Sequence, residues 1–253
     1  MEYIEHIITS IKINYKTWIA LFCSCLILYP KNLILGIILY IICILQSYWA
    51  HRISHEKWAF LLNRAHIYHH ENTDAMSHIV QVGIETVAVF SPFIFLYYIL
   101  DIKETIYPLD PYVFIMFYIF YTSTHNINYG QFHVNDVHWK HHLDYSVNYG
   151  PDICDIIFNT KYPTNSIENT DHYLPNIIVG TLIALLIKNT YENLTQHYKD
   201  IVKNITFTIY CSISSFVAFY TFKQSFIDIH KHYNQLKNEF DNNIQYILQK
   251  LFS

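Results

Sequence analysis

Residues 33–55 read LILGIILYIICILQSYWAHRISH. The first eighteen positions carry no charge, and a helix needs roughly 17–25 mostly apolar residues to cross the hydrocarbon core of a bilayer. The run ends in His51 and His55, whose spacing of four places both imidazoles on one helix face. A membrane helix that delivers paired imidazoles to its own end is the organising expectation for the chain.

Three other stretches approach the length of a span: 11–29, 79–100 and 112–130. The first is parted from 33–50 only by Pro30-Lys31-Asn32, a turn composition, and the other two are parted by a short polar connection from Asp101 to Pro111. The expected fold is therefore an all-α integral membrane protein with about four transmembrane helices in two hairpins and a cytosolic helical cap that carries the histidines. Lys12, Lys16, Arg52, Lys57, Arg64, Lys140 and Lys161 fall on the histidine side and only Lys31 and Lys103 on the other, which orients the histidine face to the cytosol.

Composition supports a membrane class: 52% of the 253 residues are hydrophobic, 17% aromatic and only 14% charged, with positive mean hydropathy. A net charge of -4 offers no basic footprint for nucleic acid. Three of the five cysteines lie in apolar runs and imply no disulfide framework, and Cys23 and Cys25, two apart, point to different helix faces. Glu2 and Glu5 replace the basic start of a cleaved signal, so the first apolar run is expected to remain as an anchor.

Beyond residue 160 the chain is expected to form a C-terminal helical extension, 161–253, partly membrane-associated, after a membrane-embedded domain over 1–160. Residues 174–187 are apolar but short, and 204–222 are apolar but rich in Ser and Thr. The tail presents Phe226, Ile229, Tyr233, Leu236, Phe240, Ile244, Ile247 and Leu251 at spacings of three and four. Such a seam suits a helix packed on its own domain or, alternatively, a homodimer contact.

Nine of the sixteen histidines stand in ligand spacings: His51 and His55; His66, His69 and His70; His125; and His138, His141 and His142. Imidazole suits zinc, copper, iron and nickel. No H-E-x-x-H motif supplies the base of a hydrolytic zinc site, and nine imidazoles suit two metals with four or five nitrogens each. The pattern is also duplicated: His51-x3-His55 before His66-x2-His69-His70 corresponds to His125-x3-Tyr129 before His138-x2-His141-His142, so Tyr129 stands where a tenth histidine would be. Packing, or a hydrogen bond to a metal-bound water, is expected of Tyr129 rather than ligation. Glu56, Glu71 and Asp144 adjoin the histidines and are candidates to hold a ligating ring by its second nitrogen.

The run HRISHEKWAFLLNRAHIYHH resembles the fatty acid hydroxylase and sterol desaturase superfamily, whose first two boxes, H-x3-H and H-x2-H-H, are separated by a short segment. The likeness continues through HWKHH into Asn148-Tyr149-Gly150 and then Asp155, Phe158 and Thr160, similar to the family's NYG and D-x2-F-G-T signature, with Asn159 in place of the glycine. It covers about residues 33–160. The resemblance implies a di-iron centre that uses O2 to hydroxylate or desaturate a lipid such as a sterol, fatty acid or sphingolipid. The implied ligands are His51, His55, His66, His69, His70, His125, His138, His141 and His142, with Tyr129, His78, Asn148 and Asp155 as supporting candidates. Several members carry another histidine four residues after the one matched by His125, where this chain has Tyr129.

No Rossmann, flavin or haem-binding segment appears in the chain, so electrons are expected from a separate donor such as cytochrome b5 with its reductase, in the endoplasmic reticulum. Two other readings stay open at this point: a metal-binding or metal-transport membrane protein without catalysis, and a family member that has lost activity, motivated by Tyr129 and Asn159.

Overall fold

The structure, a computed structural model, describes residues 2–72, 74–94, 110–162 and 167–252. Among them there are helices and no strands. They are α1 (Glu2–Leu28), α2 (Leu33–Ser54), α3 (Phe60–Glu71), α4 (Ala75–Ile94), α5 (Pro111–Ser123), α6 (Val137–Leu143), α7 (Asp152–Ile157), α8 (Leu174–Glu192) and α9 (Gln196–Phe252). A π-helical segment, Thr124–Tyr129, continues α5.

Local chemistry starts the two helices that matter most. Asn32 Oδ1 accepts from Leu35 N at 3.2 Å and opens α2 directly after the Pro30-Lys31 turn. Asp110 accepts from Tyr112 N at 2.9 Å and Val113 N at 3.0 Å, with Pro111 in the first turn of α5 where its missing N–H costs nothing.

The main core gathers Leu21, Cys25, Leu39, Phe114, Met116 and Ile177 from α1, α2, α5 and α8. α5 and α8 approach most closely at Gly180, where an added Cβ would sit 3.0 Å from the Met116 carbonyl oxygen. α9 packs on α4 in the same way, Gly83 lying against Val217. Ile177 and Ala184 lie in the core beside residues of α1 and α2, so α8 shares one packed interior with the first half of the chain.

Among the described residues, four helices are long and apolar enough to cross a membrane: Tyr3–Leu28, Leu33–Ser54, Asp171–Glu192 and Gln196–Ile244. Two coincide with the expected spans 11–29 and 33–50, and two do not. The apolar part of α4 is the shorter Ala75–Ser91, and the remainder of the expected 79–100 span beyond 94, with the 101–109 connection, lies outside the described residues. The α-helical part of 112–130 stops at Ser123.

α8 runs on past the apolar 174–187 run to Glu192, 19 residues in all, and a 3-10 turn at Asp171–Tyr173 precedes it, so the stretch reaches spanning length. α9 tolerates its Ser and Thr because they bond within the helix: Thr206, Thr208, Ser212 and Thr221 each donate to the carbonyl four residues back. The 204–222 run and the tail are thus one helix of 57 residues, about 85 Å long at 1.5 Å per residue. The described part of the tail seam, Phe226 to Ile244, is exposed rather than packed on its own domain, Phe226 being 71% and Ile229 65% exposed.

Candidate metal centre

Nine imidazoles meet where α2, α3, the π-helical end of α5 and α6 converge. α2 supplies His51 and, at its C-cap, His55; α3 supplies His66, His69 and His70; the π-helical segment supplies His125; α6 supplies His138, His141 and His142. The ring atoms form two sets. His51, His55, His66, His70 and His141 offer nitrogens within 4.8 Å of one another, and so do His69, His125 and His138. His142 joins the second set through His138, Nε2 to Nε2 at 3.0 Å.

The sets do not follow the two halves of the sequence, as the duplicated pattern suggests. In each H-x2-H-H motif the first and last histidines, four apart, stay together: His66 and His70 at 2.9 Å, His138 and His142 at 3.0 Å between Nε2 atoms. The middle one crosses over. His141 joins His55 at 3.0 Å, and His69 lies with His125, ring centroids 5.3 Å apart.

These residues fit metal ions. Within the first set His55 Nε2 is 3.0 Å from the Nε2 atoms of both His66 and His141, and in the second His125 Nε2 is 3.0 Å from His138 Nε2. Nitrogens bound at about 2.0–2.1 Å and at right angles around a common ion lie about 2.9 Å apart. The buried His51 Nε2 has no hydrogen-bond partner, as expected of a lone pair reserved for a cation. Burial pushes His55 and His142 down to about 4 and His69 down to about 2. Burial likewise holds His66, His138 and His141 well below the ordinary value. Burial thus favours the neutral form of these six rings, the form that binds metal.

Four of the nine rings are tethered through the second nitrogen, which fixes their orientation, whereas the buried Nδ1 atoms of His55, His69 and His70 have no partner. His51 Nδ1 pairs with the Tyr149 carbonyl at 2.7 Å and His141 Nδ1 with the Val147 carbonyl at 2.5 Å. His66 Nδ1 pairs with Gln81 Oε1 at 3.0 Å, and His125 Nδ1 with Glu85 Oε1 at 2.5 Å. Gln81 Nε2 in turn donates to Glu85 Oε1 at 3.0 Å, so one side-chain chain ties the two sets together.

Sequence reasoning missed Gln81 and Glu85. Their signal was a polar pair four apart in an otherwise apolar helix, an expensive placement that marks function. Glu56, Glu71 and Asp144 do not appear among these ring partners, and Asp144 instead accepts from Ser146 N and Oγ.

The supporting candidates are placed as follows. Asp155 accepts from Tyr149 N at 2.9 Å, Gly150 N at 2.7 Å and Thr160 Oγ1 at 2.8 Å, and so holds the loop whose Tyr149 carbonyl orients His51. Asn148, at φ 52, receives Tyr162 N at 2.9 Å and donates to the Val137 carbonyl at the start of α6. Asn159 stands at φ 55, a left-handed conformation that Asn tolerates better than most residues, so the exchange for glycine leaves the turn intact. His78 lies beside His69, ring centroids 5.5 Å apart, outside both sets. Tyr129 packs its ring on His138 and turns its hydroxyl to Glu168.

A narrow apolar slot abuts the first set between α2, α4 and α5. His51, His66 and Glu85 line it together with Phe114 and Phe117 of α5 and the small side chains of Ser47, Ala50 and Ala88.

The model of the fatty acid hydroxylase family matches residues 33–160, just over half of the chain. No curated protein and no solved structure matches the chain. The matched segment contains all nine converging histidines and the Asn148–Thr160 loop that braces them, and the chain belongs to the fatty acid hydroxylase family.

Proposed function

We propose that this protein is a membrane-bound oxygenase that hydroxylates or desaturates a lipid hydrocarbon at a centre of two iron ions held by the nine histidines. The observation that carries this reading is the apolar slot lined in part by His51 and His66, which sets a hydrocarbon surface against a nitrogen-rich, metal-binding one. Two iron ions bound there would supply the activation of O2, with two external electrons, needed to oxidise an unactivated C–H bond.

The chain's own residues do the rest. Gln81, Glu85 and the Tyr149 and Val147 carbonyls aim four of the imidazoles, those of His66, His125, His51 and His141, which lowers the reorganisation that accompanies binding. Phe114 and Phe117 exclude water from the slot and leave the small side chains at 47, 50 and 88 to receive a hydrocarbon chain. Electrons come from a separate donor such as cytochrome b5 with its reductase, docking on the histidine face. The basic residues there favour a cytosolic orientation in the endoplasmic reticulum membrane. The exposed stripe from Phe226 to Ile244 suits a homodimer contact with a second copy.

The test is to purify the chain, measure iron and follow O2 consumption with a reductant, and to compare lipid profiles of cells with the intact chain and with His70→Ala. Two irons per chain and an oxidised lipid that disappears with H70A are expected. Iron-loaded protein inert toward every lipid, or absence of iron, overturns the reading.

A further inference from the structure

The duplicated histidine pattern leaves one position unmatched: four residues after His125 stands Tyr129, where the first half has His55. In the fold this phenol turns away from the imidazoles. Its hydroxyl donates to Glu168 Oε1 at 2.5 Å and lies 2.5 Å from the Tyr173 hydroxyl. Its ring lies nearly flat on His138, centroids 5.1 Å apart at an interplanar angle of 20°.

Glu168 is built in rather than incidental. It is 5% exposed, accepts from Asn135 Nδ2 at 2.6 Å, and its carbonyl accepts from Asn14 Nδ2 at 2.8 Å. A buried carboxylate without bonded partners is costly, so the Glu168 pocket and the Tyr129 hydroxyl hold each other in place. On the same side lies a narrow cavity lined by His125, Tyr129, His138 and Glu168, with His51 of the first set at its wall.

We propose that Tyr129, locked by Glu168, keeps the second metal position at the four nitrogens of His69, His125, His138 and His142, against five at the first. The two positions then bind a metal ion unequally, and the four-nitrogen one keeps a place for a small ligand entering from the adjoining cavity. Tyr129 is a positioning residue: its ring fixes His138 and its hydroxyl points elsewhere. The inference rests on the dinuclear reading of the centre, but it concerns how the two positions differ.

The test titrates metal-stripped, full-length protein in detergent with cobalt(II), reading visible absorption, whose intensity reports coordination number. Two steps are expected, the second weaker by at least roughly tenfold, within the range over which even outer partners tune metal sites. Sodium azide added afterwards should perturb only the weaker step. Tyr129→His should strengthen that step and render it insensitive to azide, leaving the tight one unchanged. If Y129H fails to fold, two neighbours on α3 serve: His69→Ala should remove only the weak step and His70→Ala only the tight one. Two equal steps in the unaltered chain, a folded Y129H that titrates like it, or loss of the weak step in His78→Ala, which would make His78 a fifth ligand, each overturn the inference. No cobalt bound at all overturns the dinuclear reading itself.

Discussion

The Nε2 atom of His141 lies 3.0 Å from that of His55, 86 residues earlier in the chain, while His138, on the same short helix, meets His125 at 3.0 Å. One turn of α6 thus contributes to both histidine sets. His55→Ala and His141→Ala should each lower bound metal by one equivalent, and the double variant by no more than either single one, because both empty the same position. Combining His141→Ala with His138→Ala should lose both equivalents. Elemental analysis of the purified variants checks this, and additive loss in the H55A/H141A pair would refute the grouping.

Ala88 lines the slot between α2 and α4, about one helical turn beyond Glu85. Ala88→Phe should fill the slot and lower lipid turnover at least roughly tenfold, since misplacement of a reacting carbon by about 1 Å costs up to a hundredfold. Metal content should not change. A variant with full turnover would place the hydrocarbon elsewhere.

Burial pushes Glu168 up from an ordinary 4.5 to about 7. The folded chain then keeps a proton that the unfolded chain has released, so this group's contribution to stability is greatest at low pH and falls as pH rises from about 4.5 to 7. Glu168→Gln cannot lose it. Melting temperatures of the two proteins, followed from pH 5 to 8, should therefore diverge in favour of the glutamine variant as pH rises. Parallel curves would mean that Glu168 titrates normally.

Gly180 meets the Met116 carbonyl where α8 crosses α5. Gly180→Leu should push the helices apart and destabilise the protein by about 1–3 kcal/mol, the usual cost of overpacking. Because α5 runs on into His125, the same variant should weaken metal binding at the His125 position more than at the His51 position. Thermal unfolding together with a cobalt titration reads both effects, and an unchanged melting temperature would show that the interface yields freely.

Much of the site was legible because its signals are local. Imidazoles three or four apart on a helix face one way wherever the helix goes, which marked eight of the nine histidines and left His125 to its correspondence with His51, and an uncharged run as long as 33–50 is costly to leave in water. The partners that hold the rings were less legible. Gln81 and Glu85 look like isolated polar residues until α4 lies beside α3 and the π-helical segment, and Glu168 sits in a loop far from any histidine motif. The Ser- and Thr-rich 204–222 run concealed a continuous helix because composition does not reveal hydroxyls bonded to their own backbone.

By itself the amino-acid sequence determined the all-helical membrane class, the nine imidazoles and the odd place of Tyr129. Each follows from spacing along one helix, where backbone geometry sets side-chain direction to within a few ångströms. Only the tertiary structure decided that His69 and His141 exchange positions, that Gln81 and Glu85 join the two sets, and that the Tyr129 hydroxyl turns to Glu168. Those relationships depend on how helices cross and where distant loops return, and such distances are settled by packing between elements rather than by periodicity within any one of them.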